Sequence, residues 1–204
     1  NASIAAVVGV RARTTQRVGG APVQTGTITN CADANVTART GTGTGSGCAN
    51  IALTEATLGM SLSKSTNPTS GVRDLYPTTV VTVSGTSTGN APAEMMTLLD
   101  TTPAWYNEFD FTSFGAFSLP SGAATIQVDA LVGGAWVNGT AGPTPTTTAA
   151  PGSIQGFRFT FRSASGSYIN PGGTASVELN FTLRRNLRGT TDRVPLGIVS
   201  NSVS

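Results

Sequence analysis

Of the 12 basic residues in the chain a single one, Lys64, is a lysine, and it stands where an apolar side chain belongs. Leu58, Met60, Leu62 and Lys64 occupy alternate positions, so as a strand they share one face, the face expected to look into a core. An unpaired ammonium there is costly. Out of water and beside a carboxylic acid, a lysine becomes a neutral nucleophile instead. Two further residues have the types to complete such a site. Asp100 shares a face with Leu98, and Asn201 lies between Val199 and Val203 on one face of the final strand. The plainer alternative is a lysine that snorkels to solvent at the strand end, with an asparagine that bonds a turn.

Other chemistry finds less support. The chain has no histidine, which removes the usual general base, the commonest metal ligand and every Ser-His or Cys-His arrangement. Ser61-Leu62-Ser63-Lys64 matches the S-x-x-K pattern of serine acyl-enzymes, but that pattern needs a helix and here falls on an alternating strand. Glu94, Glu108 and Asp110 could form an acid pair or a calcium site. Glu108 and Asp110 read as neighbours on one strand face, yet calcium loops concentrate more oxygen ligands. No catalytic residue, metal or cofactor is therefore expected. Cys31 and Cys48, the two cysteines, bracket the Thr/Gly/Ser-rich stretch TARTGTGTGSG. As a pair they suit a disulfide closing a loose hairpin, and with it an oxidising, extracellular setting. Trp105, Tyr106, Phe109, Phe111, Phe114 and Phe117 read as core filling, either a plug or a short helical crossover.

The elements that must position these residues are strands. The alternating run Val177 to Arg184 is followed by a tail that closes on Pro195 to Asn201, and SIAAVVGV at Ser3 to Val10 has a similar tail closing on Pro22 to Asn30. The two runs align with about two residues of gap, which reads as an internal repeat. On that reading residues 1–57 end a preceding repeat, with strands at Ile4 to Val10 and Val23 to Ala32 and the Cys-bridged hairpin, and residues 58–204 are a full unit. The chain is then a trimmed piece of something longer, or one link of a head-to-tail polymer. Within 58–204, strands are expected at Leu58 to Lys64, Thr79 to Thr86, Met95 to Asp100, Ala124 to Ala130, Ala135 to Val137, Phe157 to Arg162 and Val177 to Arg184. Residues 139–151 read as an exposed loop. Many short strands separated by Gly, Pro and Asn, with no helical period, call for an all-β, immunoglobulin-like antiparallel sandwich with an incomplete β segment before it.

Composition narrows the class. Charged residues are 11% of the chain against about 25% in an average domain, and the arginines are scattered around a net charge of +2, so no nucleic-acid surface is expected. The longest apolar run, Ile4 to Val10, is far shorter than the ~20 residues of a membrane span. Nothing ahead of it resembles a signal peptide.

Residues 58–204 resemble the immunoglobulin-like repeats of large cell-surface proteins of actinobacteria and other Gram-positive bacteria. The likeness rests on the order of four motifs: Leu62-Ser63-Lys64-Ser65 opening the unit, Thr88-Gly89-Asn90-Ala91-Pro92 at a turn, Leu98-Leu99-Asp100-Thr101-Thr102-Pro103, and Val199-Ser200-Asn201-Ser202-Val203 at the end. Ile28-Thr29-Asn30-Cys31-Ala32 matches the last motif in residues 1–57. The resemblance implies a non-enzymatic stalk module or fibre part, extracellular or on the cell surface. The unpaired strand edges expected at Ile4 to Val10 and Val23 to Ala32 add that neighbouring repeats or copies of the chain join head-to-tail by strand complementation. The alternative is an adhesin whose loops bind a host protein or glycan. In related surface-fibre domains a first-strand lysine, a last-strand asparagine and a nearby acid form an intramolecular isopeptide bond. Here that bond would join Lys64 to Asn201 with Asp100 as proton shuttle. The aromatic stretch at 105–117 and the Cys-bridged hairpin depart from the common pattern.

Overall fold

The computed structural model describes Val7, Gly9 and residues 13–204. The strand expected over Ile4 to Val10 falls, but for Val7 and Gly9, outside them. The chain divides into two compact units between Glu55 and Ala56, two residues before the boundary read from the sequence.

In the first unit β1 (Gly26–Ala38) and β2 (Gly41–Leu53) make an antiparallel hairpin whose register sets Cys31 opposite Cys48, and the two are disulfide-bonded. The loose loop expected between the cysteines is corrected here: pairing continues to a two-residue turn at Arg39 and Thr40. Glycine content concealed a period of two. Gly41, Gly43 and Gly45 alternate with Thr42 and Thr44, which puts the β-branched residues on one face of a regular strand. A two-stranded hairpin is marginal by itself in water, and the disulfide offsets that weakness.

The second unit is an immunoglobulin-like antiparallel β-sandwich. One sheet has the order β3 (Met60–Asn67), β4 (Thr78–Ser87), β10 (Thr174–Leu183), β6 (Phe109–Ser118). The other runs β5 (Met95–Asp100), β9 (Ile154–Ser163), β7 (Ala123–Val132), β8 (Ala135–Gly142). Alternation drives the pairing. Val81 and Val83 of β4 lie opposite Leu179 and Val177 of β10, and all four are fully buried. Gly133 and Gly134, both with positive φ, supply the tight turn joining β7 to β8. The loop expected over 139–151 begins four residues later, since β8 runs on to Gly142.

The aromatic stretch resolves into a short helix and a strand. α1 (Pro103–Glu108) starts on a proline, whose missing N–H matters least at that position, and carries the chain from β5 in one sheet to β6 in the other. Its Trp105 and Tyr106 are buried. Tyr106 meets Phe181 and Phe157 edge-on, and Phe111 and Phe114 meet Phe157 in the same way. Such pairs contribute ~0.5–1.5 kcal/mol each beyond the area they bury. Glu108 ends the helix while Asp110 lies in β6, so the shared strand face expected for them does not form.

Candidate functional site

Lys64 lies near the middle of β3, an edge strand. The three apolar residues before it on the same face are only partly covered, Leu58, Met60 and Leu62 being 72%, 41% and 38% exposed. The expectation that they reach a core is corrected to this extent. Met60 and Leu62 instead lie against the bare backbone of Gly85, where an added Cβ would come within 3.4 Å and 3.3 Å of them, at the rim of the sandwich. The lysine is buried more deeply than they are, its side chain 5% exposed.

Its ammonium reaches across the gap between the sheets. Lys64 Nζ donates to Asp100 Oδ1 at 2.6 Å and to the Ser202 carbonyl at 2.9 Å. Asp100 closes β5 and points inward like Met96 and Leu98, with its side chain fully buried. The tail beyond Val194 runs past this pair. Leu99 and Ser204 exchange both backbone hydrogen bonds, and the Ser202 N–H donates to Thr102 Oγ1 at 2.8 Å. Burial alternates along it: Val199 and Val203 pack on the core while Ser200 and Ser202 face out. Asn201 therefore points inward between the two valines, as the sequence pattern requires. The structure thus brings Lys64, Asp100 and the Asn201 segment together from β3, β5 and the tail.

What this site leaves unpaired is informative. Both amide atoms of Asn201 are buried without a hydrogen bond, whereas Asp100 Oδ2 and the Tyr106 hydroxyl interact with each other but fall outside normal hydrogen-bond geometry. Buried polar groups nearly always find partners, and each orphan costs on the order of 1–3 kcal/mol. The unpaired amide of Asn201 thus lies beside a buried ion pair.

The electrostatics point the same way. Burial pulls the Lys64 ammonium below its usual range, against the attraction of Asp100. Burial pushes the Asp100 carboxyl above its usual range, against the pull of Lys64. Both shifts favour the neutral pair, amine and acid, the form in which lysine is a nucleophile and aspartic acid can give a proton. Burial, and then the Asp100 charge, raises the Tyr106 phenol, so Tyr106 stays protonated beside the carboxyl. The sequence pattern places Tyr106 only in the core. Its position as the fourth residue of a helix that begins shortly after Asp100 is the one signal of a second role.

The other candidates are dispersed. Asp110 is held by Arg184 and Arg188. Glu108 lines a cleft of about 550 Å³ that also contains Lys64, Trp105 and Asn201 and opens to solvent, and burial raises its carboxyl. Among the described residues no cluster of three acids, cysteines or histidines could hold a metal. No helix among them is long and apolar enough to cross a membrane. No family model, curated protein or solved structure matches the chain.

Proposed function

We propose that the chain is a non-enzymatic structural module of an extracellular stalk or surface fibre, and that residues 56–204 are locked by an isopeptide bond between Lys64 and Asn201. The supporting observation is the buried Lys64–Asp100 pair beside the partnerless, inward-facing amide of Asn201. In the bond-forming step the Lys64 proton passes to Asp100, and the neutral Nζ attacks Cγ of Asn201. The C–N bond to Nδ2 then breaks as Asp100 returns a proton to the leaving nitrogen, and Asp100 takes the second proton from Nζ, leaving a neutral amide and a protonated carboxyl. One ammonia departs and no other reactant is needed. The cleft beside Lys64 and Asn201 gives it a way out.

The bond would have a mechanical purpose. β3 opens the sandwich and the tail closes it, so tension applied at the two ends would peel these elements first. A covalent link between them carries the load past every hydrogen bond in between. The low charge, Thr/Ser-rich surface and disulfide suit a protein outside the cell. Head-to-tail partners, neighbouring domains or copies of the chain, follow from the same reading.

Pulling single molecules by their termini tests this role. A locked module yields no added contour length from the segment between Lys64 and Asn201, and Lys64→Arg restores it. A wild-type chain that extends fully over that segment would contradict the stalk reading.

A further inference from the structure

Residues 13–33 repeat the tail, residues 184–204, without a gap. At one constant offset Arg13, Arg17, Val23, Gly26 and Asn30 fall on Arg184, Arg188, Val194, Gly197 and Asn201. Ile28 and Ala32 fall on Val199 and Val203, the two residues that flank Asn201 on its inward face. The gap of two residues seen when strands are matched by pattern disappears in this register.

The backbone follows the same offset. In the tail, Leu187 N–H donates to Asp192 O at 2.9 Å and Val194 N–H to Arg185 O at 3.3 Å, around a bridge between Asn186 and Arg193. In the earlier stretch, Gln16 N–H donates to Ala21 O at 2.7 Å and Val23 N–H to Thr14 O at 3.0 Å, around a bridge between Thr15 and Pro22. The glycine that follows has positive φ in both, 135° at Gly26 and 156° at Gly197, a region that side chains disfavour. Two turns closed by the same bonds, each followed by the same glycine and the same asparagine, are two copies of one device.

We propose that Asn30 is a second cross-link acceptor. Residues 13–33 form the closing tail of another β-sandwich of the same design, whose first-strand lysine, paired with a buried carboxylic acid, condenses with the Asn30 side chain. This rests on the Lys64–Asn201 reading. The chain's one lysine is already matched by Asn201, so the lysine for Asn30 comes from another domain or another copy. Nζ–Cγ forms, Cγ–Nδ2 breaks, the acid protonates the leaving nitrogen and takes the surplus proton from Nζ, and ammonia is released.

The state of β1 fits an acceptor waiting for its partner. Asn30 is exposed, although the side-chain amide of the equivalent Asn201 is buried. Its strand pairs with β2 along one edge, and among the described residues the other edge has no strand beside it. An open edge of this kind accepts a further strand. The disulfide does not stand in the way. Cys31 occupies the position of Ser202, whose side chain faces out toward Thr102, so the cross-bridge lies on the face opposite Asn30.

The test is a duplicated chain, the full sequence with a second copy of residues 56–183 inserted between Ala12 and Arg13. The inserted strands then meet residues 13–33 as their tail, while the original sandwich keeps its own. Intact mass should show two ammonia molecules lost, and Asn30→Ala should reduce the loss to one. A single loss with Asn30 present, mapped to Lys64 and Asn201, overturns the proposal and leaves the first cross-link standing. A chain that loses no ammonia removes both. Should the insertion disturb folding, a second variant carries the sequence of residues 13–33 in place of 184–204, with serine kept at position 202. It should lose one ammonia as the wild type does, and a folded variant that loses none overturns the proposal.

Discussion

Lys64 Nζ and Asp100 Oδ1 stand 2.6 Å apart although their strands belong to opposite sheets, and their side chains are 5% and 0% exposed. A salt bridge sealed this way is a poor source of stability, because desolvation of two charges consumes most of the Coulombic gain. Its placement, one residue from the backbone of Asn201 and beside that residue's unpaired amide, is what the proposed cross-link requires.

Stability separates the two explanations. In an Asn201→Ala background, where no cross-link forms, Asp100→Ala should cost ~3–5 kcal/mol by leaving the buried Lys64 Nζ without its carboxyl partner, whereas Lys64→Met combined with Asp100→Leu should be neutral or stabilising. Urea unfolding of the three proteins checks this. An Asp100→Ala variant as stable as its parent would mean that the lysine escapes to solvent.

The pH dependence of the same Asn201→Ala protein follows from the two shifts. Asp100 has a raised folded pKa, so its contribution is present below the usual carboxylate range and lost as pH rises through the folded value. Lys64 has a lowered folded pKa, so its contribution is present above the usual lysine range and lost as pH falls through the folded value. Relative to the Lys64→Met, Asp100→Leu protein, the site should destabilise most near neutrality and less toward either extreme. A difference that is largest at acid or alkaline pH would show that the shifts have the opposite sign.

Replacing Phe157 with alanine opens the meeting point of Tyr106, Phe111 and Phe114. The expected loss is ~3–5 kcal/mol, again without the cross-link. Because Tyr106 loses its support beside Asp100, cross-linking in the otherwise wild-type chain should also become incomplete, read as a mixture of two masses.

Reduction of Cys31–Cys48 should act on the hairpin alone. A closed loop of this size is worth ~3 kcal/mol, and a two-stranded hairpin has little else to hold it. Amide exchange in β1 and β2 should accelerate after reduction, with β4, β9 and β10 unchanged. Protection that persists in the reduced hairpin would point to another source of order.

Much of this architecture was legible because it is written in alternation. Val81 and Val83, Phe157 to Phe161 and Val177 to Phe181 each place one face in the core, and Asn201 between two valines follows the same rule. The lysine stood out because no other residue of its kind occurs. Three features were hidden for physical reasons. Glycine masked the regular pairing of β1 with β2. Met60 and Leu62 have core character but sit on an edge strand, where each stays about two-fifths exposed. Tyr106 reads as one more aromatic, and only the fold sets its hydroxyl beside Asp100.

The central claim is a covalent bond, and intact mass spectrometry of the folded wild-type chain tests it most directly. The predicted mass is that of the sequence less the two hydrogens of the disulfide and less one ammonia, with Lys64 and Asn201 recovered in a single branched peptide after digestion. Lys64→Arg and Asn201→Ala should each regain the ammonia. A folded wild-type chain whose mass is that of the sequence with the disulfide alone would contradict the account.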